Sequence, residues 1–525
     1  MVRGGLGSEV IRLRLGGWPP STVLSLYEIM QDGRVQPSSR KAPMRRSQVF
    51  TTAMLLTVSG LPAGLVADEL LDRIDAQRPK YVEIASKIWR WAEVGYREVQ
   101  SSSLLADELE AAGFEVQRGV ADIPTAFVAE FGSGKPVIGI LAEYDALPGM
   151  EQEAVPAKQP LKSNKPGHAC GHHLFGTAST WAAITVKEEL IAKKITGTLR
   201  LYGCPAEEGG SGKVFMVRAG LFKDCDVVLH WHPGSENRAG LETNLANISG
   251  KFRFRGKSAH AAGAPHQARS ALDAVMLFAH GVDLLREHVP QETRLHYVIT
   301  NGGNAPNIVP DFAEVYMYAR HPDPKTLDGI WSRIEKCAEG GAIATETTRS
   351  LELVGNTANL LPNDALARLL DKHLRAIGGV TYSAEETAFA EKLRPSLLRP
   401  ELPPLTEAAK VKSVSEDQRY GSTDVGDVSW AVPTGGFSTA CVFPGVPMHS
   451  WQAVACGGTT VGHKGMVIAA KTLTLATHEL FNNPKQVAAA RESFDKRRAG
   501  KNYQTRFPKD QRPALNYRDN AAVEP

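Results

Sequence analysis

Two short runs of this 525-residue chain carry side chains that could do chemistry together. The first is Gly167-His168-Ala169-Cys170-Gly171-His172-His173. The second is Cys204-Pro205-Ala206-Glu207-Glu208-Gly209-Gly210. Thiol, imidazole and carboxylate groups bind a borderline-soft divalent ion, and metal-assisted hydrolysis also needs a carboxylate base. A lone buried cysteine is usually a small hydrophobe. Cys170, two residues from His172 and just before a helical segment, reads instead as half of a ligand pair. Glu207 and Glu208 could be a plain solvated turn, but they follow a strand and sit among Pro and Gly, as functional loops do. Adjacent residues point in different directions, so one of the two can coordinate while the other takes a proton from water. His230 and His232 project to one side of a strand end. Of these, His232 is the preferred ligand because Pro233 and a turn follow it, and His230 reads as a packed core histidine. His449 is isolated before Ser450-Trp451, and its place after a strand recommends it. His260 has no sequence link to the cluster and reads as a surface-loop histidine.

Several strands must carry these residues to one place. Val137 to Ala142 is a continuous apolar run that ends in Glu143-Tyr144-Asp145-Ala146-Leu147-Pro148. Gly197 to Gly203 leads to Glu207-Glu208, and Asp226 to Leu229 leads to His230-Trp231-His232. Three strands that end in candidate ligands are what a parallel sheet with one site at its carboxyl edge requires. Asp68 to Gly113 reads as two helices, and Thr177 to Ile195 as another. The rhythm changes near Asn247. Strands at Ser249–Arg255, Arg294–Asn301, Phe312–Arg320 and Glu346–Val354 alternate with helices at Arg269–His288 and Leu327–Glu339. That order, βαββαβ, is the ferredoxin-like split unit. The expected organisation is an α/β catalytic domain in two parts, 68–246 and 357–483, with the split unit inserted at 247–356. Residues 384–418 read as a long surface excursion, 421–429 as a loop entering a strand, and 484–525 as a polar, basic, disordered tail.

The bulk numbers exclude several classes. The chain is 42% hydrophobic and 22% charged, so most of it packs into cores. A formal charge of +3 with dispersed Lys and Arg gives no nucleic-acid footprint. Six cysteines without a CxxC pair argue against a disulfide framework. Residues 1–67 read as a disordered extension followed by a secretory signal peptide. Met44-Arg45-Arg46 is its basic start, Val49 to Val66 its apolar stretch, and Leu65-Val66-Ala67 the cut. The expected location is therefore periplasmic or secreted, the alternative being a cytoplasmic protein with an N-terminal extension. No other stretch suits a membrane span.

The motifs together resemble the metal-dependent amidohydrolases related to aminoacylase, carboxypeptidase G and the auxin-conjugate hydrolases. The resemblance rests on Glu143 to Pro148, His168 to His172, Pro205 to Gly209, His232 and His449. It draws nearest to the branch that cleaves p-aminobenzoyl-glutamate through Tyr202-Gly203-Cys204-Pro205, Gly210-Ser211-Gly212-Lys213, Ala262 to His266, Arg269 to Val275, Ser422 to Trp430 and His463 to Met466. It spans about Leu70 to Leu480. It implies a two-metal, zinc-peptidase-like catalytic domain whose mixed sheet is flanked by helices, with an inserted dimerisation lid. It implies two divalent ions per subunit (zinc or manganese, with cobalt also suited). Cys170 would bridge them, and His172, Glu208, His232 and His449 would complete the two shells. Glu207 would be the general base and Asp145 would orient a ligand. His260 would steady the oxyanion in the neighbouring subunit of a homodimer, and Asn307 and Arg320 would hold the substrate carboxylate. The implied reaction is amide hydrolysis of a small N-acyl amino acid of the p-aminobenzoyl-glutamate type. The alternatives are an exported aminoacylase or dipeptidase, and a non-catalytic partner subunit. His173 departs from the family, many of whose members carry Asp there.

Overall fold

The computed structural model describes residues 63–159, 165–399 and 401–519. The expected extension at 1–43 and nearly all of the expected signal peptide lie outside them. The first described helix, Ala63–Trp91, is followed by a second, Val99–Ala111. The first half of the chain then gives β1 (Glu115–Arg118), β2 (Phe127–Ser133), β3 (Val137–Glu143), β4 (Gly197–Cys204), β5 (Val227–Gly234) and β6 (Arg238–Ala239). The inserted unit gives β7 (Ala246–Arg255), β8 (Arg294–Asn301), β9 (Phe312–His321) and β10 (Thr348–Thr357), and β11 (Thr434–Ala440) returns to the first sheet.

The larger sheet runs β1-β2-β4-β3-β5-β11-β6. Its centre, β4-β3-β5-β11, is parallel, and the flanking strands are antiparallel. All seven residues of β3 are buried, the expected result for an apolar run covered on both faces. Helix His172–Lys193 lies on this sheet. Its Ala, Ser and Thr side chains let neighbouring helices approach closely, and Trp181 stacks on Tyr81 at 4.7 Å between ring centres.

The lid has the order β10-β7-β9-β8, every pair antiparallel. Numbered within the unit this is 4-1-3-2, as expected for the split βαββαβ arrangement. Helices Ala271–Leu285 and Pro324–Thr345 cover one face, over Phe252, Phe254, Phe278 and Trp331.

Three expectations fail. Residues 421–429 are not all loop, since the helix Val425–Ala431 begins within them. The supposed surface excursion holds the helix Ala384–Leu393, started by a Ser383–Glu386 capping box and packed through Phe389 on Phe443. The described part of the tail, 484–519, is ordered. It forms the helix Pro484–Arg498 and then an arm, with Ala490, Phe494, Phe507 and Tyr517 buried. Among the described residues no helix is long and apolar enough to cross a membrane.

Candidate metal centre

The ligand-type residues meet at the carboxyl edge of the parallel strands. Gly171, at φ +76°, turns the chain between Cys170 and the helix that His172 begins. A side chain there would collide with Pro233, its Cβ lying 2.8 Å from the proline Cβ. His232 comes from β5. His449 comes from the loop after β11, at a left-handed φ of +58°, with its N–H donated to the Ala169 carbonyl at 2.9 Å. Such strained backbone persists where surrounding structure enforces it, and it clusters at functional sites.

Cys170 is the centre of the cluster. Its Sγ lies 3.4 Å from Nε2 of His232 and 3.3 Å from Nε2 of His449. Nε2 of His449 is in turn 3.2 Å from Glu208 Oε1. Two trios therefore share the thiol, Cys170-His172-His232 and Cys170-Glu208-His449, each with ligand atoms within 4.8 Å of one another. A third trio, Glu143-His172-Glu207, meets the same limit beside them.

One carboxylate organises both halves. Asp145 Oδ1 lies 2.9 Å from Nδ1 of His172, which leaves Nε2 facing the cluster, and Asp145 Oδ2 accepts the Glu208 N–H at 2.8 Å. The acidic turn has further supports. Ala206, at φ +57°, donates its N–H to the buried Glu98 at 2.8 Å, and Tyr96 donates its hydroxyl to the Gly210 carbonyl at 2.6 Å.

Charge is shared unevenly across the site. Burial and the Glu208 carboxylate push the Cys170 thiol up, but the His232 and His172 imidazoles outweigh them and bring it to about 5. Burial also raises Glu208, yet His449 and His172 win and hold it near 2. Burial, then Glu143 and Glu208, raise Glu207 well above the usual carboxylate range. A thiolate and a carboxylate thus converge on one point while their neighbour retains a high proton affinity. Nε2 of His172 and Oε1 of Glu208 are buried yet make no well-directed hydrogen bond. A soft thiolate, imidazoles and a carboxylate with free lone pairs fit divalent metal ions.

The structure thus gathers Cys170, His172, Glu207, Glu208, His232, His449 and Asp145. It does not bring His260, Asn307 or Arg320 to them. His260 and Asn307 are exposed neighbours on the lid, where the Ala261 N–H donates to the Asn307 carbonyl at 3.0 Å and His260 Nδ1 accepts from the Gly263 N–H at 3.0 Å. Arg320 lies on β9 with its guanidinium 5.4 Å from the Tyr318 ring centre. His168 and His173 are buried behind the site, bonded to the carbonyls of Ile88 and Gly457. The sequence reading missed a buried ion chain. Glu143 lies 3.2 Å from His172, Lys213 lies 2.7 Å from Glu143, and Asp424 lies 2.6 Å from Lys213. All three stand within motifs that carry the resemblance, and Glu143 was also marked by its place at the end of a buried strand.

Comparison with known proteins agrees with this fold. Residues 245–346 match the peptidase dimerisation domain of the M20 family. The chain is 42% identical over 438 residues to one of the subunits of p-aminobenzoyl-glutamate hydrolase from Escherichia coli (strain K12), covering 78% of this chain and 91% of that protein. It is 28% identical to the Xaa-Arg dipeptidase of Mus musculus over 83% of this chain and 94% of that one. Among solved structures, an aminobenzoyl-glutamate utilization protein from Klebsiella pneumoniae superposes with a TM-score of 0.54 at 18% identity, over 78% of this chain and 98% of that one, which speaks for the fold. By its donor set, its fold and its similarity to a curated hydrolase along most of its length, the chain belongs to the M20 family and is a metal-dependent amidohydrolase.

Proposed function

We propose that this enzyme hydrolyses the amide bond of an N-acyl amino acid of the p-aminobenzoyl-glutamate type. The observation that carries this reading is the pair of ligand trios sharing Cys170, with Glu207 adjacent to one of their members. Cys170 would bridge two ions, with His172 and His232 on one side and Glu208 and His449 on the other. The thiolate favours zinc, and manganese or cobalt would also suit the nitrogen and oxygen donors. When bound, such ions make water a stronger acid and polarise a carbonyl. Glu207 accepts the proton of the attacking water and delivers it to the leaving amine. Its half-buried, acid-flanked position keeps its proton affinity high. Asp145 fixes the tautomer of His172 and the start of the acidic turn.

The lid completes the site as part of a homodimer in this reading. Exposed Met276, Leu277 and Leu284 lie on one lid helix, and exposed Val298 and Ile299 on the edge strand β8. An apolar helix face beside an unpaired edge is a pairing surface. His260 would then reach the neighbouring subunit and stabilise the oxyanion, with Asn307 and Arg320 on the substrate carboxylate. Loss of the one oxyanion donor would slow turnover by about two to three decades. We also propose export, with cleavage near Ala67. N-terminal sequencing of the mature chain tests it, and an uncut chain would overturn it.

The similarity to an Xaa-Arg dipeptidase favours a second reading, a dipeptidase or aminoacylase. A panel of p-aminobenzoyl-glutamate, acetyl-amino acids and dipeptides on metal-reconstituted enzyme separates the two. A non-catalytic partner subunit would need neither Glu207 nor a full ligand set, and activity of the isolated chain would exclude it. Glu207→Gln should keep its metal and lose turnover, whereas Cys170→Ala should lose metal by elemental analysis. An active Glu207→Gln enzyme refutes the base, and a fully loaded Cys170→Ala protein refutes the bridge.

A further inference from the structure

We propose that the C-terminal arm, residues 499–519, is a working part of the active site, in which Arg518 and Tyr517 position the Glu207–Gly210 turn and Arg506 ties that support to the lid. This rests on the reading of Glu208 as a ligand and Glu207 as the base.

The arm leaves the helix Pro484–Arg498 and is fastened along its length. Tyr503 donates its hydroxyl to Asp427 at 2.6 Å. Arg506 donates from Nε to Asn356 at 2.7 Å and receives the Asn356 amide on its own carbonyl at 2.9 Å. Its Nη2 pairs with Asp328 on a lid helix at 2.5 Å. Asn356 belongs to β10, the strand by which the chain leaves the lid. Phe507 stacks on Phe215 at 4.9 Å. Arg97 then holds Asn516 at 3.0 Å and Asp519 at 2.6 Å. Between those two anchors the chain presents Tyr517 and Arg518 to the acidic turn.

The contacts there fall on the turn itself. Arg518 Nη2 donates to the main-chain carbonyl of Glu208. The Arg518 guanidinium lies over the Tyr517 ring, 4.6 Å from its centre. Tyr517 packs edge-on against Tyr96, which holds the Gly210 carbonyl. Gly209 leaves room for both the arm and the lid. A Cβ there would lie 3.3 Å from the Tyr517 ring and 2.7 Å from the Tyr318 hydroxyl of β9. Glu208 is therefore held at both main-chain groups, its N–H by Asp145 and its carbonyl by Arg518. With both fixed, the two peptide planes flanking Glu208 are fixed, and the Gly210 N–H on the Ala206 carbonyl at 2.9 Å holds the plane before Glu207, so the directions in which both side chains leave the backbone are set. Simple packing needs only the apolar rings. A cation aimed at the carbonyl of a ligand residue goes beyond packing, because charge-assisted hydrogen bonds are the strong and directional ones. Displacing a catalytic group by about 1 Å costs on the order of a hundredfold in rate.

The test compares Arg518→Ala, Arg518→Lys and Arg497→Ala in the full-length, metal-reconstituted enzyme, with Glu208→Ala alongside. Arg497 anchors the preceding helix to Asp364 without touching the turn. Metal retained per chain is measured during dialysis against a weak chelator, and kcat and KM are measured on whichever panel substrate is cleaved. Arg518→Ala should lose about tenfold or more in kcat with KM held within about twofold, and should release metal faster than wild type. Arg518→Lys should recover part of both, while Arg497→Ala should lower the melting temperature and leave kcat and retention unchanged. Wild-type kcat and retention in Arg518→Ala would overturn the proposal, as would the same defect in Arg497→Ala. If Glu208→Ala keeps all its metal, the ligand reading itself is wrong. If Glu208→Ala loses metal and Arg518→Ala does not, only the role of the arm falls.

Discussion

Lys213 offers the sharpest perturbation of the site's foundations. It is fully buried, and its ammonium lies 2.7 Å from Glu143 and 2.6 Å from Asp424, both also buried. Its own N–H donates to the second oxygen of Asp424 at 2.9 Å. At an effective dielectric of about 20, each charge contact is worth about 6 kcal/mol. Desolvation costs several kcal/mol for each of the three charged groups, which offsets much of that attraction. Lys213→Met keeps most of the volume and removes only the cation. It leaves Glu143 and Asp424 facing each other without a counter-charge, and breaking a buried pair this way costs about 3–5 kcal/mol. Lys213→Met with Asp424→Asn removes one of the stranded charges and should recover a substantial part of that loss. The assay is urea denaturation of metal-loaded protein, with elemental analysis of the same samples. Glu143 also lies 3.2 Å from His172, so metal content should fall in the single variant and recover in the double. A single variant within about 1 kcal/mol of wild type, or a double variant no better than the single, would refute the reasoning.

Two further outcomes follow from other parts of the molecule. Gly171→Ala forces a Cβ into Pro233 at a left-handed φ, which should cost about 1–3 kcal/mol and loosen Cys170 and His172, read by melting temperature and metal content. Burial pushes Asp427 from 3.8 up to about 7, against hydrogen bonds from Tyr503 and the Ala358 N–H. The folded state then keeps a proton that the unfolded chain has released, so this group's contribution is full below about pH 4 and is lost as pH rises to about 7. Asp427→Asn removes that titration. Its stability relative to wild type should therefore rise between pH 5 and pH 7 in urea melts, and a difference independent of pH would count against it.

The proposed ligands were legible because their chemistry is local. Cys170 and His172 sit two residues apart, Glu207 and Glu208 are adjacent, and each pair borders a strand or helix whose period is plain. The lid was legible for the same reason, since amphipathic helices and alternating strands declare themselves within a dozen residues. What stayed hidden depends on distant partners. Lys213 and Asp424 are 211 positions apart, and Glu98 meets Ala206 across 108. A lone charged residue carries no mark of the partner that will bury it. The tail was misread because its anchors Phe494, Phe507 and Tyr517 are widely and irregularly spaced in a polar sequence, so no period betrays them. The helix Val425–Ala431 was missed because seven residues rich in Gly, Ser and Val give little helical propensity, and it holds its place by burial.

The lid insertion explains why these long-range contacts matter to function. The catalytic domain is interrupted between β6 and the helix Asp364–Ile377, yet the donor set draws on both sides of the break. Cys170, His172, Glu207, Glu208 and His232 precede the lid, and His449 follows it. Neither the trio containing Glu208 nor the ion chain from His172 to Asp424 can close until the second half has returned. β11 pairs in parallel with β5 along the strand that carries His232, and Asp424 seals Lys213 beneath Glu143. Ligands that assemble only in the completed fold couple metal binding to folding, because the free energy of binding is available only to the state in which the halves are joined. The buried charges behind the site therefore act in two ways. They fix His172 from the rear, and they make the position of the returning chain a condition for a complete ligand set.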